Sequence, residues 1–193
     1  MFVVFKRTGQ KRYGVEVHRP RFGNVEKSPA PGYDELMPHD MMHLVVEAQL
    51  GLKHGIFGQL EAGGHAGTFR DYLEPLTSTR EASRRRRHYD QRSARLLREG
   101  KDDCAKSERA TYICWQAWLA RSAVKERQRT AQTMSEQAKQ VRGVGSAAES
   151  QTLSEEKMEQ ICRHLDELSS HWSQLRIGES MIVNWPDLVI KDN

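Results

Sequence analysis

Apolar and polar residues alternate twice near the start of the chain. Residues 2–7 (Phe-Val-Val-Phe-Lys-Arg) and 12–18 (Arg-Tyr-Gly-Val-Glu-Val-His) flank the segment Thr8-Gly9-Gln10-Lys11, and Val15 and Val17 alternate with Glu16 and His18. Side chains of a strand point to opposite faces in turn, so the pattern predicts a β-hairpin with one buried face. A lone hairpin is marginal in water and needs a further strand or a helix. Ser180–Trp185, closed by Pro186, supplies a candidate strand from the other end of the chain. Residues 19–37 carry Pro20, Gly23, Pro29, Pro31 and Gly32 and read as a surface loop.

Between the two ends the spacing of apolar positions becomes helical. Met37-Pro38-His39-Asp40 opens a helix that runs to about Leu50, with proline suited to the first turn and Gly51 to the stop. A short helix over 56–62 precedes the breaker Gly63-Gly64-His65-Ala66-Gly67. Residues 80–99 and 104–138 read as two long charged helices joined by 100–103, the second with a stripe of Tyr112, Trp115, Trp118, Leu119 and Ser122. Residues 140–151 have linker composition. Thr152-Leu153-Ser154-Glu155 fits a capping box, and Met158, Ile161, Leu165, Leu168 and Trp172 line one face of the helix that follows. The expected class is α+β, mostly helical: an N-terminal β-hairpin joined by a C-terminal strand and packed on a helical bundle. One domain covers 1–193, with 80–138 a protruding charged helical hairpin and 140–151 a flexible linker.

Composition narrows the classes. Of 193 residues 37% are hydrophobic, and no run approaches the roughly 18 apolar residues of a membrane span. The apolar run before Lys6-Arg7 is too short for a signal-peptide core and precedes the basic residues. Cys104, Cys114 and Cys162 form no C-x-x-C pair and read as reduced thiols, so a cytoplasmic protein is expected. Charge alternates in blocks: +5 over 1–27, −5 over 28–79, +5 over 80–99, +4 over 100–148 and −5 over 149–193, for a net +4. Such blocks suit internal complementarity as well as an external polyanion.

One segment carries chemistry. A turn of about 100° per residue places His39, His43, Glu47 and Asp40 in one narrow sector, while Met42, Leu44, Val45, Val46 and Ala48 occupy most of the remaining circumference. A helix so apolar is expected to be buried, with its polar stripe facing a cleft. Imidazoles at i and i+4 can share one metal ion, with Glu47, or Asp40, supplying oxygen. The nearby candidates for further ligands are His54, Glu61 and His65; His164 and His171 can approach from the last helix. Zinc, iron(II) and manganese all suit such a set, in a hydrolase or an oxygenase. The competing reading makes the stripe a solvated helix face with Glu47 pairing His43 across one turn.

The His39-Asp40-x-x-His43 array resembles the H-E-x-x-H helix of zinc metalloproteases, with Asp40 one methylene shorter than the glutamate that activates water there, and with Gln49 where the extended pattern has a third histidine. It is also similar to the H-D-x-x-H stretch of a ubiquinone-biosynthesis family, over His39 to His43; the downstream glutamate of that pattern has only His54 and Glu61 in its region here, at other spacings. More broadly, Leu36 to Glu47, the glycines from Gly51 to Gly58 and the late Trp185-Pro186 resemble an uncharacterised family of small bacterial proteins with an L-M-P-H-D-x-x-H-x-x-x-E helix. That resemblance implies a coherent bacterial fold and no activity.

Two further readings stand beside metal binding. The charged hairpin 80–138 can be the recognition surface of a non-enzymatic module with a protein partner. The basic run Arg84-Arg85-Arg86-Arg87, with Arg92, Arg95 and Arg98, places Arg84, Arg87, Arg95 and Arg98 broadly on one side, where they can meet nucleic-acid phosphates. No recognised nucleic-acid motif accompanies that run, and a solvated helix whose arginine stems cover apolar surface explains it as well.

Overall fold

The computed structural model describes residues 1–72, 80–140 and 153–191. Six strands form one antiparallel sheet: β1 (Phe2–Gly9), β2 (Arg12–His18), β3 (Val25–Ala30), β4 (Arg70–Asp71), β5 (Ser180–Asn184) and β6 (Ile190–Lys191), in the order β4-β3-β2-β1-β5-β6. The expected hairpin is present, with Val3 opposite Val17 and Phe5 opposite Val15. The C-terminal strand pairs the other side of β1, setting Val183 against Val3 and Met181 against Phe5. All six side chains are buried, as a period of two requires of one covered face. Both edge strands are two residues long, which limits edge-to-edge pairing.

The stretch expected as a surface loop contains a strand instead. β3 spans Val25–Ala30 with Pro29 inside it, and β4 pairs only with its first two residues. Proline donates nothing to a ladder, so it sits where no outer neighbour needs its nitrogen.

The helices are α1 (His39–Leu50), α2 (Ile56–Glu61), α3 (Arg80–Glu99), α4 (Lys101–Ala120), α5 (Lys125–Gln140) and α6 (Glu155–Gln174). Helix α1 lies at the centre, packed against α2, α4 and α6, with Met41, Met42, Leu44, Val45 and Val46 fully buried. A helix apolar on most sides has no stable place except between other elements. Trp172 of α6 joins it to the sheet, meeting the Tyr13 ring edge-on at 6.2 Å. Its indole also donates to the Asp34 carbonyl at 3.2 Å.

The single helix expected over 104–138 is two. The chain turns at residues 121–124, where Ser122 Oγ accepts the Val124 N–H at 3.2 Å, and α5 folds back along α4. Tyr112 then donates to the Met134 carbonyl at 2.7 Å. The buried positions of α4 are Ser107, Ala110, Thr111, Cys114, Trp118 and Leu119, so this helix belongs to the core. The cap of α6 is Ser154, which accepts the Lys157 N–H at 3.2 Å, two residues after the expected Thr152. The linker reading of 140–151 falls, apart from Gln140, outside the described residues. None of the described helices is long and apolar enough to cross a membrane.

All three cysteines are free thiols. Cys114 and Cys162 are fully buried, and burial pushes the Cys114 thiol up to about 12 and raises that of Cys162. A thiol whose pKa lies so high holds almost no thiolate at neutral pH. In the native protein, Ellman's reagent is expected to modify half-buried Cys104 first, with Cys114 and Cys162 reacting only as the chain unfolds. Prompt reaction of all three would contradict the packing.

Candidate metal centre

Helix α1 begins where the sequence places it, and its start positions His39. Pro38 stands in extended conformation just before the helix, and the His39 N–H donates to the Gly32 carbonyl at 3.0 Å. Gly32 adopts a φ of 75°, and a Cβ there would lie 2.7 Å from the His39 Cβ. Only glycine fits both the left-handed backbone and the close approach. One turn on, the His43 ring meets the His39 ring at 4.6 Å and 74°.

The third member comes from α4. His39, His43 and Glu108 each offer a ligand atom within 4.8 Å of the other two. His43 is 1% exposed, and its Nε2 lies 3.5 Å from Oε2 of Glu108, whose side chain is 61% exposed. When His43 Nε2 carries a hydrogen, its contact holds the Glu108 carboxyl below the ordinary range, ahead of the opposing effect of burial. Partial loss of solvent around the ring, with His43 as neighbour, pushes the His39 imidazole below its usual value, which favours the neutral ring that can ligate.

Behind His43 runs a polar relay. Ser107 Oγ donates to Glu47 Oε1 at 2.8 Å and also lies 2.8 Å from His43 Nδ1. A serine hydroxyl has one proton. With that proton directed to the carboxylate, Ser107 acts as acceptor and the hydrogen sits on His43 Nδ1. Thr111 Oγ1 lies 3.3 Å from the same nitrogen. In the neutral ring Nε2 is therefore a bare lone pair. It is buried, has no hydrogen-bond partner, and faces Glu108.

Glu47 stands outside this group of three. Its Oε1 accepts the Ile56 N–H at 2.9 Å and its Oε2 the Phe57 N–H at 2.8 Å, at the first turn of α2. Burial raises its pKa, and the two backbone donors with Ser107 hold part of that rise back. The local chain makes this possible. Gly51, with φ 62°, ends α1 in a Schellman turn, Leu52 N–H donating to the Glu47 carbonyl at 3.0 Å and Gly51 N–H to that of Ala48 at 3.2 Å. The turn returns the chain so that Gly55 lies against the carboxylate, where a Cβ would stand 2.5 Å from its carbon.

Asp40 is committed elsewhere too. It accepts from Lys27 Nζ at 2.8 Å and from the Tyr13 hydroxyl at 2.7 Å, joining α1 to β2 and β3. Burial and that carboxylate push the Tyr13 phenol well above its ordinary value. The other candidates disperse. His54 is exposed and its backbone N–H donates to Asp103 at 2.9 Å. Glu61 is exposed, His65 pairs with Asp71 at 2.9 Å, and neither His164 nor His171 joins the cluster. Arg84, Arg87, Arg95 and Arg98 are all exposed on α3, with Arg95 3.8 Å from Glu99.

Of the sequence candidates, then, His39 and His43 come together, and the carboxylate beside them is one the sequence analysis missed. Its signal lay in α4: Glu108, Tyr112 and Trp115 recur at i, i+4 and i+7, and all three line one cavity. That cavity holds about 560 Å³. Comparison of the chain with family models, with curated proteins and with solved structures gives no match.

Proposed function

We propose that His39, His43 and Glu108 hold one divalent metal ion, with zinc the best fit, and that the protein uses it in a hydrolytic reaction inside the adjoining cavity. One observation carries the reading: the 3.5 Å between His43 Nε2 and Glu108 Oε2. It is longer than a hydrogen bond. Two zinc bonds of about 2.1 Å at a tetrahedral angle separate their donor atoms by about 3.4 Å. The pair thus stands at the bite of a tetrahedral ion, with two electron-rich atoms facing each other that a cation would reconcile.

The surroundings support the same reading. The Ser107–Glu47 relay sets the ring orientation and tautomer, which is what outer partners of a ligating histidine do. Three protein ligands leave a position open for water, as in hydrolytic zinc sites. Iron(II) in the same donor set would support oxygen chemistry; among the described residues no carboxylate or imidazole beyond these three joins the cluster, which suits either metal.

Elemental analysis of untagged protein, dialysed after zinc loading, tests the proposal. Wild type is expected to retain one zinc per chain. His39→Ala and Glu108→Ala, both at exposed positions, are expected to lose it while keeping a folded circular-dichroism spectrum, as is the His39→Ala/His43→Ala pair. Asp40→Asn is expected to retain the metal. Metal-free wild type, or full retention by Glu108→Ala, would sink the proposal.

A further inference from the structure

The cavity beside the three ligands lies between α1, α4 and α5 and the Gly32–Asp34 segment. Its volume of about 560 Å³ falls in the range of pockets that enclose small organic molecules, about 300–1,000 Å³. Its walls include Met37, Met42 and Met134 with the rings of Tyr33, Tyr112 and Trp115.

Most of the polar groups of those walls already have a partner within the protein. The Tyr112 hydroxyl donates to the Met134 carbonyl at 2.7 Å, and the Tyr33 hydroxyl accepts from Arg7 Nη2 at 2.7 Å. Asp34 Oδ1 accepts the Leu36 N–H at 2.8 Å, and Thr111 Oγ1 stands 3.3 Å from His43 Nδ1. Arg109, on the same wall, is engaged within the protein. What the tyrosines offer an occupant is therefore mainly ring surface, with the Tyr33 hydroxyl hydrogen as the one donor they keep. Besides the Tyr33 hydroxyl hydrogen and the second carboxylate oxygen of Asp34, the groups that remain for a polar atom of the occupant are His39 and Glu108, which lie together at one place in the wall and belong to the proposed metal position.

We infer, resting on the metal reading above, that the substrate is a small, mostly apolar molecule with a single carbonyl-type head group. The head reaches the ion held by His39, His43 and Glu108, and the body lies between the three methionines and the three aromatic rings. Thioethers adapt to occupants of different outline, so the body is selected by apolarity and length more than by exact shape. A sugar, a nucleotide or a polar peptide would leave its own hydrogen-bonding groups unpaired against these walls.

A pair of hydroxamates separates the two parts of this inference, since acetohydroxamate and octanohydroxamate share a metal-binding head and differ only in the tail. Each is titrated calorimetrically into zinc-loaded wild type, with bound zinc measured in the same samples. Each buried methylene is worth roughly a factor of four in affinity, so octanohydroxamate is expected to bind at least about 100-fold more tightly. Met134→Glu, which sets a carboxylate in the wall from α5, is expected to keep its zinc and lose most of that preference. Trp115→Glu repeats the test from α4. Glu108→Ala is expected to bind both probes weakly, because the head has lost its ion. Equal affinity for the two probes on zinc-replete wild type would overturn the apolar substrate and leave the metal centre standing. Undiminished octanohydroxamate binding to Glu108→Ala would overturn the placement of the head, and a wild type without zinc would overturn the metal centre and this inference together.

Discussion

Glu47→Ala is expected to cost the metal-free protein about 3–5 kcal/mol of folding stability, read from the midpoint of urea unfolding. The side chain is fully buried and accepts three hydrogen bonds, from the Ile56 and Phe57 N–H groups and from Ser107. Removing it leaves those donors facing apolar surface, and each unsatisfied buried donor costs about 1–3 kcal/mol. Relief of the carboxylate's own desolvation offsets part of that sum, which places the net in its lower half. Glu47→Gln fills the same space but turns an amide N–H₂ toward a donor, so about half the loss is expected. Gly55→Ala should act through the same contact, because its new Cβ would stand 2.5 Å from the carboxylate carbon. Combined with Glu47→Ala it should therefore add little, as residues in direct contact are not additive. Exposed Glu61→Ala is the control and should stay within about 0.5 kcal/mol of wild type. A loss below about 1 kcal/mol for Glu47→Ala would mean that α2 is held by apolar packing and that the carboxylate is incidental. Against a total stability of about 5–15 kcal/mol the expected loss is a large share.

That role for Glu47 shows where the sequence was legible and where it was not. A period of two in 2–7 and 12–18 marks one buried sheet face whatever covers it, so the hairpin and its partner from 180–185 could be read locally. Helix α1 was equally plain, from Pro38 to Gly51, because its ends are coded by backbone chemistry. The helical wheel also placed His39 and His43 together correctly, since i and i+4 always share a face. The same wheel put Glu47 and Asp40 in the sector, but a wheel shows direction and not distance along the axis or partners. Glu47 lies a turn beyond His43, where the first turn of α2 claims it. Asp40 is claimed by Lys27 and Tyr13 of strands whose register no local pattern reveals. The completing carboxylate, Glu108, is separated from His43 by 65 residues of chain and depends on how α4 docks on α1. Ser107 and Thr111 carry no local pattern that sets them apart in the sequence; they supply the hydroxyls that meet the buried imidazole. The strand at Val25–Ala30 was hidden by Pro29 for the opposite reason: the breaker stands beyond the reach of β4, where a missing donor costs nothing.

If the relay sets His43, Ser107→Ala is expected to weaken zinc binding by about 10–100-fold, the usual effect of removing a partner behind a ligating histidine. Competition with a chromogenic chelator measures it. The lower part of that range is expected of the single variant, because Thr111 Oγ1, 3.3 Å from His43 Nδ1, can still accept the ring proton. Ser107→Ala/Thr111→Val removes both acceptors and should reach the upper part. Folding stability is expected to respond differently: Glu47 keeps its two backbone donors in Ser107→Ala, so its α2 anchor survives. A structural role alone would move stability and leave chelator competition unchanged in protein that remains folded. Imidazole nitrogen NMR of metal-free wild type examines the same relay without any ion, and the neutral His43 ring is expected to carry its hydrogen on Nδ1. A hydrogen on Nε2 instead would point the lone pair at Ser107, away from Glu108. The ring would then face Glu108 with a donor, and the 3.5 Å proposed as the span of a bound ion would be an ordinary long contact between a histidine and a glutamate.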